Sequence, residues 1–159
     1  MRPIVLIPAY KPTIMLCSIV QQLIFLGISK IVIVDDGSGK DCDTIFSELD
    51  KQIEAEVIRH AVNRGKGAAL RTGFRYIMDR YPQALGVITA DADGQHLPKD
   101  IYNIKLSLIA HPHSLILGSR CFDKNIPFRS MVGNTCTRLI IQRFFKLPIT
   151  DTQTGLYTC

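Results

Sequence analysis

Five short runs of β-branched and aliphatic residues recur along this sequence, and each is followed by a polar turn. They are IVLI (4–7), KIVIV (30–34), AEVIRH (55–60), LGVIT (85–89) and SLILGS (114–119). Their length and near-continuous apolar character mark strands buried on both faces. Pro8 is expected to end the first. Residues 13–26 put Ile14, Leu16, Cys17, Ile19, Val20, Leu23 and Leu26 on one broad helical face, which Gly27 stops. Further helices are expected over about 43–53, 65–81, 98–110 and 130–146, with Pro98 in the first turn of one and Pro148 ending the last. Strand and helix in alternation give an α/β fold, a mostly parallel sheet with helices on both faces. Right-handed crossovers then collect all strand C-termini at one edge, where ligands bind such sheets.

The chain has 159 residues, the size of one domain, and no repeat, linker or low-complexity tract divides it. With 47% hydrophobic and 21% charged residues it can bury a sizeable core, which excludes disorder. The formal charge of +5 suits an anionic ligand, a phosphate-bearing substrate or an anionic membrane surface, and equally an ordinary soluble surface. Basic residues are scattered without interleaved aromatics, so nucleic acid is not an expected partner. The five cysteines form no CxxC and no zinc spacing with His60, His96, His111 or His113. They read as small buried hydrophobes in a reducing compartment. No apolar run reaches the ~18 residues of a membrane span, and prolines interrupt the N-terminus where a signal peptide needs its apolar stretch. The expected location is cytoplasmic, with peripheral attachment at the cytoplasmic face of a membrane.

The polar turns carry the chemistry. DADGQH (91–96) leaves the fourth strand with two carboxylates separated by one residue. Asp91 and Asp93 repel each other and gain by staying ionised together only if a cation or a set of donors lies between them. Mg²⁺ or Mn²⁺ accepts few protein carboxylates and several phosphate oxygens, so the pair suits a diphosphate held through a metal; it suits an Asp/Gly turn equally well. Gln95 and His96 stand close enough to touch the metal or the transferred group. In VDDGS, Asp35 and Asp36 offer acceptors for ribose hydroxyls or a base imide, or else cap a helix. NRGKGAALRTG fails the dinucleotide fingerprint at Leu70 and is not a phosphate loop, yet glycines and Lys66 at a helix start favour an anion. Tyr10, past the first strand, either stacks on a base or covers the sheet edge. Arg120, past the fifth, could clamp a phosphate or a sugar. Asp151 in DTQTG is a hydrogen-bond acceptor for a sugar, a weak base or a capped turn.

In this order and near these spacings, IPAY, VDDGS, NRGKGAALRTGF, DADGQH, GSR and DTQTGL resemble the family 2 glycosyltransferases. The branch that looks nearest holds dolichyl-phosphate mannosyltransferases and polyprenyl-phosphate glucosyltransferases. The resemblance spans essentially the whole chain. It implies a glycosyltransferase A-type, Rossmann-like fold. It also implies inverting, divalent-metal-dependent transfer from a GDP- or UDP-sugar to an acceptor, here a polyprenyl phosphate at a membrane surface. Carried over by position, Pro8, Ala9 and Tyr10 border the base, and Val34, Asp35 and Asp36 hold base and ribose. Asp91, Ala92 and Asp93 bind ribose, metal and diphosphate beside Gln95. Arg120 lies near the phosphates, and Lys66 and Gly67 form the helix mouth. Asp93 and Asp151 are the expected catalytic residues, and Asp91 and Asp93 the expected metal ligands.

Relatives continue past DTQTG with GLR or GFR and further residues, whereas Tyr157 stands here in the arginine's place and the sequence stops at Cys159. The expectation is one nucleotide-diphospho-sugar-binding domain over 1–159, shortened at its acceptor side. Two rival readings stand beside transfer. One is a non-catalytic nucleotide-sugar-binding remnant. The other is a sugar-nucleotide nucleotidyltransferase, which would need a glycine-rich loop after the first strand where PAYKP has none.

Overall fold

A computed structural model describes residues 2–94, 96–112, 114, 116 and 157–158. The elements run β1 (Ile4–Ala9), α1 (Met15–Phe25), β2 (Ile31–Asp35), α2 (Asp43–Asp50), β3 (Ala55–Arg59), α3 (Lys66–Arg80), β4 (Val87–Thr89), α4 (Pro98–Ala110) and β5 (Tyr157–Thr158). A single turn of 3-10 helix at Lys40–Cys42 leads into α2. The sheet order is β3-β2-β1-β4-β5; the first four strands are parallel and β5 is antiparallel to β4. Most of the expected strand at 114–119 and all of the expected helix at 130–146 lie outside the described residues, as do Cys121, Cys136 and Cys159. Nothing in the periodicity of the sequence marked the two-residue edge strand.

Alternation along the strands divides the core. Val5, Ile7, Ile31 and Ile33 face α1, α2 and α4, where Leu16, Leu23, Phe46 and Ile101 are buried against them. Ile4, Leu6, Val32 and Val34 face α3 with Ala69 and Ile77. Among the described residues, helices therefore cover both faces, three against one. Each fully buried aliphatic side chain contributes roughly 1.5–3 kcal/mol of transfer free energy. Helix α3 packs closely on the sheet at one point: a Cβ on Gly73 would stand 2.3 Å from a Leu6 methyl, so a side chain there would force the buried Leu6 to repack.

Pro8 does not end β1 but lies within it, paired in register with Val34. The reason is its direction. Ile4 donates its N–H to Gly86, so even-numbered nitrogens of β1 point toward β4. Pairing with β4 stops at Leu6–Thr89, and the missing N–H of Pro8 therefore falls beyond the last rung on that side. At the far end of α1, Gly27 donates to Ile24 and Ile28 to Leu23, which satisfies the last carbonyls and turns the chain into β2.

Glu56 on β3 points to the α3 face, opposite Val32 in the register. Tyr76 Oη donates to its Oε2 at 2.7 Å, Tyr81 Oη to its Oε1, and Lys30 Nζ lies 2.9 Å from Oε1. Burial pushes the carboxyl up, but the two hydroxyls and the ammonium outweigh it and bring it down to about 2. A carboxyl depressed on folding stabilises above its unfolded value of 4.5, and that contribution is lost as pH falls through about 2. Glu56→Gln should therefore lower stability at pH 7 by roughly 1–2 kcal/mol, a figure discounted for partial exposure. In urea titrations across pH, the gap from wild type should narrow below 4.5 and close near 2.

Gly37, at φ 72°, brings the turn after β2 against the loop after β3; a Cβ there would sit 2.3 Å from the Val62 carbonyl carbon. Gly39 has a similar φ of 85° and nothing within 4 Å. At ψ 175°, Gly39 sits in a region essentially confined to glycine, so Gly39→Ala should cost roughly 1–3 kcal/mol from backbone strain alone, and Gly37→Ala roughly 2 kcal/mol more because a backbone must also move. Equal urea midpoints for the two variants would refute this loop contact.

Candidate functional site

The chain visits β1, β2 and β3 in one direction across the sheet and then crosses back to β4 on the other side of β1. The C-terminal ends of β1 and β4 thus diverge at a topological switch point, where open α/β sheets bind ligands. A cleft of about 390 Å³ opens there. Its walls are Pro8 and Ala9 from β1 with Tyr10 just after it, Asp36 just after β2, Asn63, Lys66 and Ala69 around the start of α3, and Asp91, Ala92 and Asp93 after β4. A hollow of about 360 Å³ at the other end of the strands has Arg2, Lys30 and Arg80 over Pro3, Ile4 and Pro82, and no carboxylate.

Eight of the residues expected in the site meet in this cleft: Pro8, Ala9, Tyr10, Asp36, Lys66, Asp91, Ala92 and Asp93. Three others do not line it. Val34 is fully buried between β2 and α3. Asp35 is buried, and its Oδ1 accepts the Ser38 N–H at 2.9 Å, closing the turn after β2. Gly67 lies exposed in the first turn of α3. Gln95, Arg120 and Asp151 lie outside the described residues. Asn63 and Ala69 are cleft residues that spacing did not single out; Asn63 shows itself only as a polar residue between a strand end and Gly65, whose N–H its Oδ1 accepts at 3.1 Å.

At the mouth, Tyr10 is half-exposed, with Lys11 Nζ 5.6 Å from its ring centre. The ring face is thus available beside a cation, an arrangement that accepts a planar base. On the opposite wall, Asp91 Oδ1 contacts Lys66 Nζ at 2.5 Å. The His96 imidazole beside it and the Lys66 ammonium hold the Asp91 carboxyl down to about 2, against the upward push of burial. The two partners are not equivalent. His96 Nε2 stands 3.7 Å from Oδ2, beyond hydrogen-bond reach, and is buried with no hydrogen-bond partner among the described residues. Lys66 is the direct partner, and His96 acts through space. Asp93 is exposed two residues further along the same wall.

Asp36 forms the floor between these walls. It is buried, accepts His60 Nδ1–H at 2.7 Å and the Arg64 N–H at 3.0 Å on Oδ1, and the Gly65 N–H at 2.7 Å on Oδ2. Burial raises its carboxyl, and the His60 and backbone donors more than reverse that, so it remains ionised.

Among the described residues, no group of three or more His, Cys, Asp or Glu side chains converges as a self-contained metal cage. Besides Asp36, whose oxygens already accept three hydrogen bonds, the cleft offers two carboxylates: Asp91, held ionised, and Asp93, exposed. That donor set fits a hard divalent cation which takes its remaining oxygens from a diphosphate and water.

The sequence is 35% identical over 156 residues to the uncharacterized protein MJ1222 of Methanocaldococcus jannaschii, covering 96% of this chain and 62% of that one. It is 31% identical over 171 residues to the UDP-N-acetylglucosamine–dolichyl-phosphate N-acetylglucosaminyltransferase of Methanococcus voltae, covering 95% of this chain and 66% of that one. The chain thus spans slightly less than two thirds of the length of either relative. The fold is that of glucosyl-3-phosphoglycerate synthase from Mycobacterium tuberculosis, solved with Mn²⁺, UDP and glucosyl-3-phosphoglycerate: TM-score 0.68, 17% identity, 99% of this chain and 56% of that one. It also matches S. aureus TarS 1–349 in complex with UDP, at TM-score 0.56 and 18% identity over 80% of this chain and 38% of that one. These neighbours are glycosyltransferases of the A-type fold. Residues 5–156 match glycosyl transferase family 2, and the chain belongs to that family.

Proposed function

We propose that this chain transfers a sugar, with inversion, from a UDP-sugar to a polyprenyl phosphate, using a divalent cation held by Asp91 and Asp93. The observation that carries this reading is the acidic pair facing Lys66 and Tyr10 across the β1/β4 cleft. The UDP donor is supported by the UDP in two structural neighbours and by the UDP-sugar in the name of the M. voltae relative. The lipid-phosphate acceptor is supported by the dolichyl phosphate in that same name and by the formal charge of +5. Among the described residues no helix is long and apolar enough to cross a membrane; a polyprenyl phosphate acceptor would itself bring the chain to a membrane surface.

The residues divide the work by chemistry. Tyr10 takes the base against its ring, and Asp36 offers its remaining acceptor capacity toward the ribose. Asp91 stays ionised throughout the neutral range because its carboxyl is held at about 2. When bound, Mg²⁺ or Mn²⁺ supplies positive charge to the leaving diphosphate. Lys66 is 55% exposed and can swing from Asp91 to a phosphate oxygen, so its charge follows the negative charge that develops. A polyprenyl phosphate oxygen is already anionic near neutral pH, so the attack needs no strong general base. Arg120 at the phosphates and Asp151 at the sugar complete the proposed set.

Two measurements test this. In calorimetry with UDP and Mn²⁺, Asp93→Ala should abolish the gain in UDP affinity that the metal brings, and transfer of labelled sugar to polyprenyl phosphate should fall by roughly 100-fold or more. Equal metal-assisted binding in both proteins would overturn the metal assignment. Lys66→Met should have opposite effects on the two ligands. With its competing ammonium gone, Mn²⁺ alone should bind Asp91 several-fold more tightly, whereas UDP should bind roughly tenfold more weakly. Weakening of both would show that Lys66 does not compete with the cation.

A further inference from the structure

One imidazole joins three parts of the cleft wall that are far apart in sequence. His60 follows β3, and its side chain is 7% exposed. Its Nδ1 lies 2.7 Å from Asp36 Oδ1 and its Nε2 lies 2.9 Å from Thr72 Oγ1, within α3. An ionised carboxylate only accepts hydrogen bonds, so Nδ1 carries the proton toward Asp36, and in the neutral ring Nε2 accepts the Thr72 hydroxyl. Asp36 in turn receives the Arg64 and Gly65 amides, the last two before α3 begins at Lys66. The start of α3 is thereby fixed from two sides, by Asp36 at its entry and by His60 on Thr72 within its shaft. Lys66, the next residue, reaches Asp91 at 2.5 Å.

A purely structural role would be met by apolar side chains packed in the same space, which avoid the desolvation of a buried charge. The polar chain adds directional bonds, and three of them end on the carboxylate that faces the loop ahead of Lys66. We propose that His60 is a positioning residue for the donor site, holding Asp36 so that Asp36 sets the entry of α3 and with it the ammonium of Lys66 opposite Asp91. This rests on the reading of the cleft as a UDP-sugar site, but the placement of the loop can be measured without any donor.

The experiment compares wild type with His60→Ala, His60→Asn, His60→Gln and Thr72→Val. Amide hydrogen exchange at Arg64 and Gly65 is followed by NMR, and UDP affinity by calorimetry with Mn²⁺. Asparagine places its amide nitrogen near the Nδ1 position and keeps the donor to Asp36; glutamine reaches toward Nε2 and does not. His60→Ala and His60→Gln should speed exchange at Arg64 and Gly65 by about tenfold while core amides such as Leu6 and Ile33 keep their protection, and UDP should bind about tenfold more weakly. His60→Asn should restore both, and Thr72→Val should give an intermediate effect. The proposal is overturned if exchange at Gly65 does not change in His60→Ala, or if every amide accelerates together and asparagine rescues no better than glutamine. Wild-type protein that binds no UDP would remove the donor reading, while the exchange comparison would still decide the role of His60.

Discussion

A single buried carboxylate organises the working edge of this sheet. Asp36 follows the last residue of β2, and its own N–H still bonds to Ala9 in β1, so the side chain starts from a rigid place. Three donors converge on it: one ring nitrogen from beyond β3 and two amides from the loop that enters α3. Left with fewer partners, a charge at this depth would cost several kcal/mol. Supplied with all of them, it fixes the loops after β2 and β3 against each other, and Gly37 lets their backbones approach closely enough for this to happen. The position of Lys66, and so the pairing of Asp91, follows from that arrangement.

The fold was largely legible because its elements rest on local signals. Strands β1 to β4 announce themselves as short aliphatic runs, α1 as a periodic face stopped by Gly27, and α3 and α4 by Gly65 and Pro98 at their starts. The errors arose where a partner decides the outcome. Pro8 reads as a stop until the direction of its nitrogen relative to β4 is known. Gly73 drew no reading from the sequence, and the reason for it appears only with Leu6 beneath it. Strand β5 exists only because β4 offers it an edge.

The candidate site was legible as a set of strand-end positions, for the same reason. Polar residues just past strand ends lie along one rim of the sheet, and Tyr10, Lys66, Asp91 and Asp93 line one cleft there. What spacing could not assign was which carboxylate faces the cleft and which closes a turn. Asp35 and Asp36 are neighbours of identical chemistry, yet the first satisfies Ser38 and the second ties together residues 24 to 29 positions away. His60 showed no motif, because its partners lie 24 and 12 residues off.

The imino nitrogen of Pro8 has one more effect. Where β1 and β4 part, the next rung of the ladder would run from the nitrogen of residue 8 to the carbonyl of residue 90, continuing the pattern set by Ile4 on Gly86. Proline has no hydrogen to offer, so the two strands resemble a zipper with a tooth removed, and the teeth already engaged cannot draw the slider further. The slit beside Ala9 is therefore kept open by covalent structure rather than by whatever comes to fill it, and a guest entering there displaces solvent instead of prising apart a sheet.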